Sequence, residues 1–321
     1  MESSQITGMQ RVVDQLDDDQ ELLSDLHTIS DFLRWTVSRF HQAEVALGHG
    51  YDDPWDEAVA LVLHALHLPM DVDPGVKDNR LTTTEKREVI ALIRERLIDR
   101  RPTAYITGTS WFCGVPFLVD QRVLIPRSPI GELIENQFEP WVEPENVESI
   151  LDMCTGSGCI GIAAGMAFPE AMVDCTDLSE DALDVAEKNI ELHGMDGQVN
   201  LVYSDLFEAL EGRSYDIIIS NPPYVDQPDM DALPDEYHHE PRMALEAGAD
   251  GLDLVRIMLA NLSRHLNPGG IAVIEVGNSW EALEETYANV PFTWLEFERG
   301  GHGVFLLTKE QIDHYQADLV E

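Results

Sequence analysis

The 321-residue chain has little positive charge and very little lysine. It carries 20 Lys and Arg, of which only four are Lys, against 60 Asp and Glu, so its formal net charge is −40. A protein that binds duplex nucleic acid normally presents a basic stripe to the phosphates. The scarcity of positive charge therefore argues against a nucleic-acid substrate and is compatible with a basic protein partner.

Cysteine and long apolar runs are also scarce. None of the four cysteines (Cys113, Cys154, Cys159 and Cys175) lies in a C-x-x-C pair or in another zinc spacing. We therefore expect reduced, mostly buried thiols and no metal. No run approaches the roughly 18 apolar residues of a membrane helix, and the first residues lack the basic start of a secretion signal. These absences predict a soluble, cytoplasmic protein without a membrane partner.

The apolar content is nevertheless sufficient for folded domains. Hydrophobic residues make up 44% of the chain, which is ordinary for a globular protein and too apolar for global disorder. Residues 1–107 repeat apolar side chains at helical steps, and Thr82 with Glu85 has the form of a capping box. Val89, Ile93 and Leu97 then form one apolar stripe. The pattern predicts an N-terminal helical domain.

Two further segments follow the helical domain. Residues 108–128 contain β-rich runs at 111–113, 117–119 and 123–125, which predict a hairpin linker. From Ser149 onward the chain alternates strand-like and helical stretches, which predicts a doubly wound α/β sheet with mostly parallel strands. The predicted parallel strands are 149–152, 171–177, 199–204, 216–220 and 271–276. Two final runs, 292–297 and 303–307, are too close in sequence for a parallel crossover, so we expect them to pair antiparallel.

A glycine-rich loop follows the first strand of this predicted sheet. Gly156 and Gly158 are separated by one residue, which permits a tight turn and a close approach of a ligand to the backbone. Gly161 completes a formal dinucleotide-binding pattern. However, Asp152 ahead of the loop, and small polar residues within it, suit a zwitterionic ligand with an adenosine better than a pyrophosphate. A tight turn without a ligand is the alternative interpretation.

Carboxylates end the next two predicted strands. Asp177 could accept hydrogen bonds from both hydroxyls of a ribose, although capping of the following helix is an alternative. Asp205 could accept a hydrogen bond from the amino group of an adenine, with Leu206 and Phe207 covering the ring. An ordinary turn remains the alternative for this second segment.

The tetrapeptide Asn221-Pro222-Pro223-Tyr224 follows the buried strand at 216–220. The Asn221 side-chain oxygen and the rigid Pro222 carbonyl could hold the two hydrogens of a planar amide or amino group. Such a nitrogen is a poor nucleophile because its lone pair is delocalised, so orientation toward a sulfonium methyl would matter more than a strong base. Tyr224 offers a flat face to the planar group. A proline-rich turn is the alternative interpretation.

The loop beyond the tetrapeptide is rich in charge. His238, His239 and Glu240 could line a substrate cleft, but their composition favours a solvated loop.

Taken together, these motifs resemble those of the protein N(5)-glutamine methyltransferases, over nearly the whole chain. The resemblance is carried by the segment from Arg101 to Gly108, Phe112-x-Gly114-x-x-Phe117-x-Val119, Val123 to Arg127, the glycine loop, the tetrapeptide, and Glu240-Pro241-x-x-Ala244-Leu245. It implies a class I S-adenosylmethionine-dependent methyltransferase: a Rossmann-like, mostly parallel seven-stranded sheet, preceded by a helical substrate-recognition domain and a hairpin linker. The implied domain boundaries are 1–107, 108–128 and 129–321.

The resemblance also implies roles for individual residues. S-adenosylmethionine would be bound by Asp152, Thr155, Gly156, Ser157, Gly158, Asp177, Asp205, Leu206 and Asn221. The substrate would be bound by Asn221, Pro222, Pro223, Tyr224 and Arg127, with Asn221 and Pro222 as the catalytic residues.

One branch of this family matches better than the other. The release-factor branch reads Pro-Arg-Pro-x-Thr-Glu after the hairpin, whereas this chain reads Pro126-Arg127-Ser128-Pro129. Together with the segment from Trp111 to Gly114, this resembles the branch that modifies large-subunit ribosomal protein three, either free or in an assembling particle. The alternatives are a release factor modified at Gly-Gly-Gln, an amino group of a nucleic-acid base, and a ribosome-assembly factor without catalysis.

The net charge of −40 yields a first prediction. If the acidic surface is an adaptation to a salt-rich cytoplasm, salt screens the repulsion between exposed carboxylates. The thermal unfolding midpoint should then rise between low and molar salt. A midpoint that stays constant across this range would reject the adaptation.

Overall fold

The computed structural model describes residues 19–320, so residues 1–18 of the predicted helical domain lie outside the described part. The described chain divides into two compact units. The helical unit comprises the described residues up to Thr109 together with Pro234–His239. The sheet unit comprises Ser110–Leu233 and the described residues from Glu240 onward. The division into independent domains at 1–107, 108–128 and 129–321 stays a prediction.

The helical unit is built around apolar helix faces. The predicted capping box is confirmed, because the Thr82 hydroxyl accepts from Glu85 N and the Glu85 carboxylate accepts from Thr82 N. The predicted stripe of Val89, Ile93 and Leu97 is buried. The helices of this unit are α1 Asp19–Asp25, α2 Ile29–Ala43, α3 Pro54–Ala65, α4 Thr83–Ile98 and α5 Thr103–Thr107, with a short 3-10 turn at Pro74–Asp78.

A buried ion cluster centred on Arg96 joins distant parts of the helical unit. Arg96, which is 1% exposed, donates from Nε to Glu57 Oε1 at 2.6 Å and from Nη1 to Glu236 Oε1 at 3.1 Å. Glu236 also accepts from Ala46 N at 3.0 Å and from Arg100 Nη1 at 3.3 Å. Glu236 belongs to the 3-10 segment Asp235–His239, which follows the tetrapeptide in sequence. The cluster therefore fastens this segment to α4.

The strands of the sheet unit are β1 Thr109–Phe112, β2 Val115–Leu118, β3 Ser149–Met153, β4 Met172–Asp177, β5 Val199–Tyr203, β6 Tyr215–Ser220, β7 Leu266–Glu275, β8 Thr293–Trp294 and β9 Val304–Thr308. Strands β1 and β2 form a two-stranded hairpin, and the other seven form one sheet in the order β5-β4-β3-β6-β7-β9-β8. The helices are α6 Ile130–Glu135, α7 Cys159–Ala167, α8 Glu180–His193, α9 Gln227–Ala232, α10 Asp253–His265, α11 Trp280–Thr286, α12 Lys309–His314 and α13 Gln316–Leu319. Short 3-10 turns lie at Pro144–Asn146, Arg242–Ala244 and Gly277–Ser279.

The predicted doubly wound sheet is confirmed. Strands β3 to β7 pair parallel, and β9 pairs antiparallel with both β7 and β8. Met153 at the end of β3 is in register with Thr176 of β4 and Ser220 of β6. The carboxyl ends of these strands therefore meet at one edge, where ligands bind in open α/β sheets.

Two strand predictions need correction. The run 123–125 is not a strand, because Val123 N donates to Asp120 O in a turn and Ile125 N donates to the Glu240 carboxylate at 3.0 Å. The run 292–297 is reduced to Thr293–Trp294. In residues 19–320, no helix has both the length and the apolarity needed to cross a membrane.

The Arg96 cluster yields a prediction about stability. In Glu236→Gln, a carboxylate buried against two guanidinium groups loses its charge, and breaking a buried ion pair costs about 3 to 5 kcal/mol. Native-state hydrogen exchange should show the opening free energy of the α4 amides falling by that order.

The matched control is Glu95→Gln, because Glu95 pairs with Arg101 where both side chains are about a third exposed. A pair of that kind contributes about 0 to 1 kcal/mol. Equal protection in the two variants would contradict the stabilising role of the cluster.

Candidate active site

The glycine loop between β3 and α7 is held from beneath by Asp152. This carboxylate is fully buried, and its Oδ2 accepts from the Thr155 hydroxyl and from Gly161 N at 2.8 Å. Burial, and to a lesser extent the nearby charge of Asp177, raises the pKa of Asp152 to about 7, against the effect of these two hydrogen bonds. Asp152 thus fixes the loop and does not line the cavity above it.

The three glycines of the predicted motif have different environments, and the third, Gly161, lies in α7. Gly156 has φ of +56°, and a Cβ there would meet no atom within 4 Å. Gly158 has φ of +79°, and a Cβ would lie 3.1 Å from Ala186 Cβ. A Cβ on Gly161 would lie 2.2 Å from Cys175 Sγ, so this residue permits close packing of α7 on the sheet. Of these three glycines, only Gly156 has a backbone that borders open space.

Asp177 at the end of β4 lines the cavity. Its Oδ2 accepts from Gly156 N at 2.9 Å and its Oδ1 accepts from Ser179 N at 2.9 Å. Burial raises its pKa, against the effect of these backbone hydrogen bonds. The N-cap of α8 is Ser179, whose hydroxyl accepts from Ala182 N, so the capping interpretation of Asp177 is wrong.

The segment after β5 supplies part of the opposite wall. Asp205 and Leu206 line the cavity, and Leu206 has φ of +46°, a strained conformation for a branched side chain. Glu208 N donates to Asp205 O, so the segment is also a turn. Phe207 does not line this cavity, because its ring stacks on His265 at a centroid distance of 4.4 Å. The expectation that Phe207 covers an adenine stays a prediction.

The tetrapeptide follows β6 and reaches the same cavity. Asn221 and Pro223 line it, whereas Pro222 is buried and does not. Tyr224 is half-buried, and its hydroxyl donates to Glu275 Oε1 at 2.8 Å. All four residues are predicted to lie at one substrate position, but Tyr224, like Pro222, does not line this cavity, and the four binding roles stay predictions.

Arg127 is paired with a carboxylate at the cavity wall. Its Nη1 and Nη2 donate to Glu240 Oε1 and Oε2 at 2.6 and 2.8 Å, a two-pronged pair. Glu240 is only 5% exposed, so the interpretation of this residue as part of a solvated loop is wrong. His238 is exposed, as that interpretation expected. Substrate binding by Arg127 stays a prediction.

The cavity brings together most of the predicted site residues, namely Arg127, Thr155, Gly156, Ser157, Asp177, Asp205, Leu206, Asn221 and Pro223. Two cysteines also line it, but burial raises the pKa of the Cys154 and Cys159 thiols, the latter to about 12. Both are therefore protonated near neutral pH and are poor nucleophiles. The arrangement is suited to binding and orienting a ligand.

Two residues that hold the cavity wall are not among the site residues predicted from the sequence. Glu275 ends β7 and is 5% exposed, and Ser128 lines the cavity while its hydroxyl donates to Glu275 Oε2 at 2.6 Å. A carboxylate at the end of the apolar run 271–276 was the signal that could have identified Glu275, since an unpaired carboxylate is rarely buried.

Comparisons with protein families, known sequences and solved structures each find methyltransferases. A sequence model of the Methyltransferase small domain family matches residues 140–248. A ribosomal protein uL3 glutamine methyltransferase of Francisella tularensis is 46% identical over 298 residues, which is 92% of this chain and 95% of that protein. A protein of the same name from Bordetella pertussis is 47% identical over 290 residues, which is 90% of this chain and 97% of that protein. Among solved structures, a methyltransferase from Pyrococcus furiosus aligns with 60% of this chain and 88% of its own at 20% identity and a TM-score of 0.44.

The different environments of the glycines yield a prediction. Gly161→Ala should lower the unfolding free energy by about 1 to 3 kcal/mol, the usual cost of overpacking, because its Cβ meets Cys175 Sγ. Gly156→Ala should cost only about 1 to 2 kcal/mol for its left-handed backbone. Denaturant unfolding of both variants measures the two effects.

The double variant Gly161→Ala, Cys175→Ala removes the clashing sulfur and should regain part of the stability. If Cys175→Ala brings no recovery in the Gly161→Ala background, the packing role of Gly161 is wrong.

Proposed function

The chain belongs to the ribosomal protein uL3 glutamine methyltransferases, and we propose that it performs their reaction in the cavity of the sheet unit, with Asn221 holding the accepting amide. The reaction transfers a methyl group to the side-chain amide nitrogen of a glutamine in ribosomal protein uL3. The observation that supports this location is the shared cavity of Gly156, Asp177 and Asn221, which come from three neighbouring parallel strands.

The methyl donor would be S-adenosylmethionine, and the residues present fit it. The backbone at Gly156 borders open space, so the methionine part of the donor can approach it closely. Asp177 ends β4, and Asp205 lies two residues beyond the neighbouring strand β5 on the same cavity. The two carboxylates offer acceptors to ribose hydroxyls and to an adenine amino group. Thr176 Oγ1 is buried and has no hydrogen-bond partner among the described residues, which leaves a donor for a bound group. When bound, the donor supplies a methyl group activated by its positive sulfonium.

The acceptor side requires orientation more than basicity. An amide nitrogen shares its lone pair with its carbonyl, so it reacts only when that lone pair is directed at the methyl carbon. In our proposal the Asn221 side-chain oxygen accepts one amide hydrogen and the Pro222 carbonyl accepts the other. Because Pro222 does not line the cavity, the substrate amide would have to reach that carbonyl beyond the present lining. As the N–C bond formed, the bond from the methyl carbon to sulfur would break and its electron pair would stay on sulfur, leaving the neutral thioether S-adenosylhomocysteine. The nitrogen would become positive, and both acceptors would stabilise that charge before one proton leaves to water. The nitrogen thus gains a methyl group and loses a proton.

The charge of the chain suits a basic protein substrate. With a net charge of −40, the protein attracts a cationic partner and repels phosphate backbones. We infer that the acidic surface accelerates encounter with uL3 and disfavours nucleic-acid bases as acceptors. A cytoplasmic location stays a prediction from the sequence.

The assignment separates two variants by their kinetics. Asp177→Ala removes a contact made before the transition state, so the Kd for S-adenosylmethionine should rise about tenfold or more, as expected for a lost hydrogen bond to a charged group. Asn221→Ala removes an acceptor that strengthens in the transition state, so kcat should fall about 100-fold or more while that Kd stays within about threefold. Calorimetry measures the affinity, and methyl transfer to unmodified uL3 measures the turnover.

The matched control is Asn200→Ala, because Asn200 is exposed in β5 and lies outside the cavity lining. Its kcat and Kd should equal those of the wild type. Wild-type turnover in Asn221→Ala would show that the accepting amide is held elsewhere.

A further inference from the structure

A buried carboxylate lies behind the tetrapeptide and is bonded to two hydroxyl groups. Glu275, the last residue of β7, accepts from the Tyr224 hydroxyl at 2.8 Å on Oε1 and from the Ser128 hydroxyl at 2.6 Å on Oε2. Glu275 is 5% exposed and Ser128 is 8% exposed. The three side chains come from β7, from the segment before α6 and from the loop after β6, so the carboxylate joins three separate parts of the sheet unit.

The direction of each hydrogen bond follows from the remaining partners. Ile130 N donates to Ser128 Oγ at 3.2 Å, so the serine oxygen already accepts one bond and its own hydrogen goes to Glu275. The Tyr224 hydroxyl donates in the same way to the other carboxylate oxygen. Burial raises the pKa of Glu275, while the hydrogen bonds from Ser128 and Tyr224 and the charge of Arg127 act to lower it. Both oxygens of this carboxylate are thus used as acceptors.

Tyr224 is also fixed at its backbone and on its ring face. The Ser279 hydroxyl donates to Tyr224 O at 2.9 Å. A Cβ on Gly251 would lie 2.2 Å from that same oxygen, and a Cβ on Gly277 would lie 2.5 Å from Tyr224 Cε2. Gly277 therefore leaves its side-chain space to the tyrosine ring. With the hydroxyl bonded to Glu275, the tyrosine is constrained at its backbone, beside its ring and at its hydroxyl.

We propose that Glu275 is a positioning residue for methyl transfer, which sets the orientation of the Tyr224 ring and, through it, the plane of the accepting amide. This inference rests on the function proposed above, because it assigns the work of Glu275 to the same acceptor position. Asn221 holds the amide hydrogens, and the ring of Tyr224 limits rotation of the amide about that grip. Ser128, which lines the cavity, anchors the second carboxylate oxygen and so keeps Glu275 from turning away from Tyr224.

Orientation is the quantity that this device would control. A misplacement of about 1 Å at a reacting centre can cost about 100-fold in rate, whereas binding of the donor on the other side of the cavity is unaffected. Loss of the Glu275 contact should therefore lower kcat and leave the donor affinity unchanged. A residue with only a structural role would instead lower the unfolding midpoint without a selective effect on kcat.

The test compares two tyrosine variants that lose equivalent hydrogen bonds. Tyr224→Phe keeps the ring and removes its bond to Glu275, and we expect kcat to fall about tenfold while the Kd for S-adenosylmethionine stays within about twofold. Tyr215→Phe removes a 2.7 Å bond from a tyrosine hydroxyl to Asp174, and Tyr215 begins β6, whereas Asn221 and Tyr224 follow the opposite, carboxyl end of that strand. This control should keep the wild-type kcat on unmodified uL3.

A double-variant cycle then tests whether Glu275 acts through Tyr224. Glu275→Gln should lower kcat about tenfold or more, and the double variant Glu275→Gln, Tyr224→Phe should be no slower than Glu275→Gln alone, because residues that act as one unit are not additive. If Glu275→Gln does not fold, Ser128→Ala takes its place in the cycle, with a smaller expected loss of kcat. Wild-type kcat in Tyr224→Phe, or losses that multiply as independent effects, would overturn the proposal.

The outcome for Asn221→Ala separates this inference from the proposed function. If Asn221→Ala is inactive while Tyr224→Phe has wild-type kcat, only the positioning role of Glu275 fails. If Asn221→Ala itself keeps the wild-type kcat, the proposed acceptor position fails and the role of Glu275 at that position fails with it.

Discussion

The parallel register of β3 with β4 and β6 is the constraint on which the cavity depends. It aligns Met153, Thr176 and Ser220, so the segments that leave these strands begin at one edge of the sheet. Each segment then contributes a different kind of group: a glycine backbone that borders open space, the Asp177 carboxylate, and the Asn221 amide. A shift of one residue in any strand would turn its side chains to the opposite face and dismantle this arrangement. Buried polar contacts reinforce the alignment, as Asp152 does by bonding both Thr155 and Gly161.

The chemistry assigned to this cavity follows from the weakness of an amide as a nucleophile. The thiols of Cys154 and Cys159 in the cavity wall are protonated at neutral pH, so they can serve neither as nucleophiles nor as bases. What the site offers is acceptors at fixed positions, supported by buried carboxylates outside the reacting centre. Glu240 holds Arg127, and Glu275 holds Tyr224, each through short hydrogen bonds. Such a design accelerates a reaction by orientation and electrostatic fit.

The elements that were predicted correctly are those whose sequence signals lie within a few neighbouring residues. The capping box at Thr82 and the apolar strands of the sheet could be read from the sequence because their signals lie within a few residues. The errors arose where a distant partner decides the outcome. Ile125 lies outside any strand because its N–H donates to the Glu240 carboxylate. The Phe207 ring stacks on His265 and lies outside the cavity lining. Glu275 was not predicted as a site residue for the same reason, since its two hydroxyl partners, Ser128 and Tyr224, are distant from it in sequence. The glycine loop and the tetrapeptide lie at one edge of the sheet because they follow strands that pair parallel.

The helical unit raises a related point about the loop that follows the tetrapeptide. Pro234–His239 belongs to that unit, and Glu236 is buried there against Arg96 and Arg100. The most direct measurement of the central claim is mass spectrometry of unmodified ribosomal proteins and release factors after incubation with the enzyme and methyl-labelled S-adenosylmethionine. The account predicts a single added methyl on a glutamine of uL3, absent with Asn221→Ala. Label on release factors alone, or on a residue other than glutamine, would contradict it.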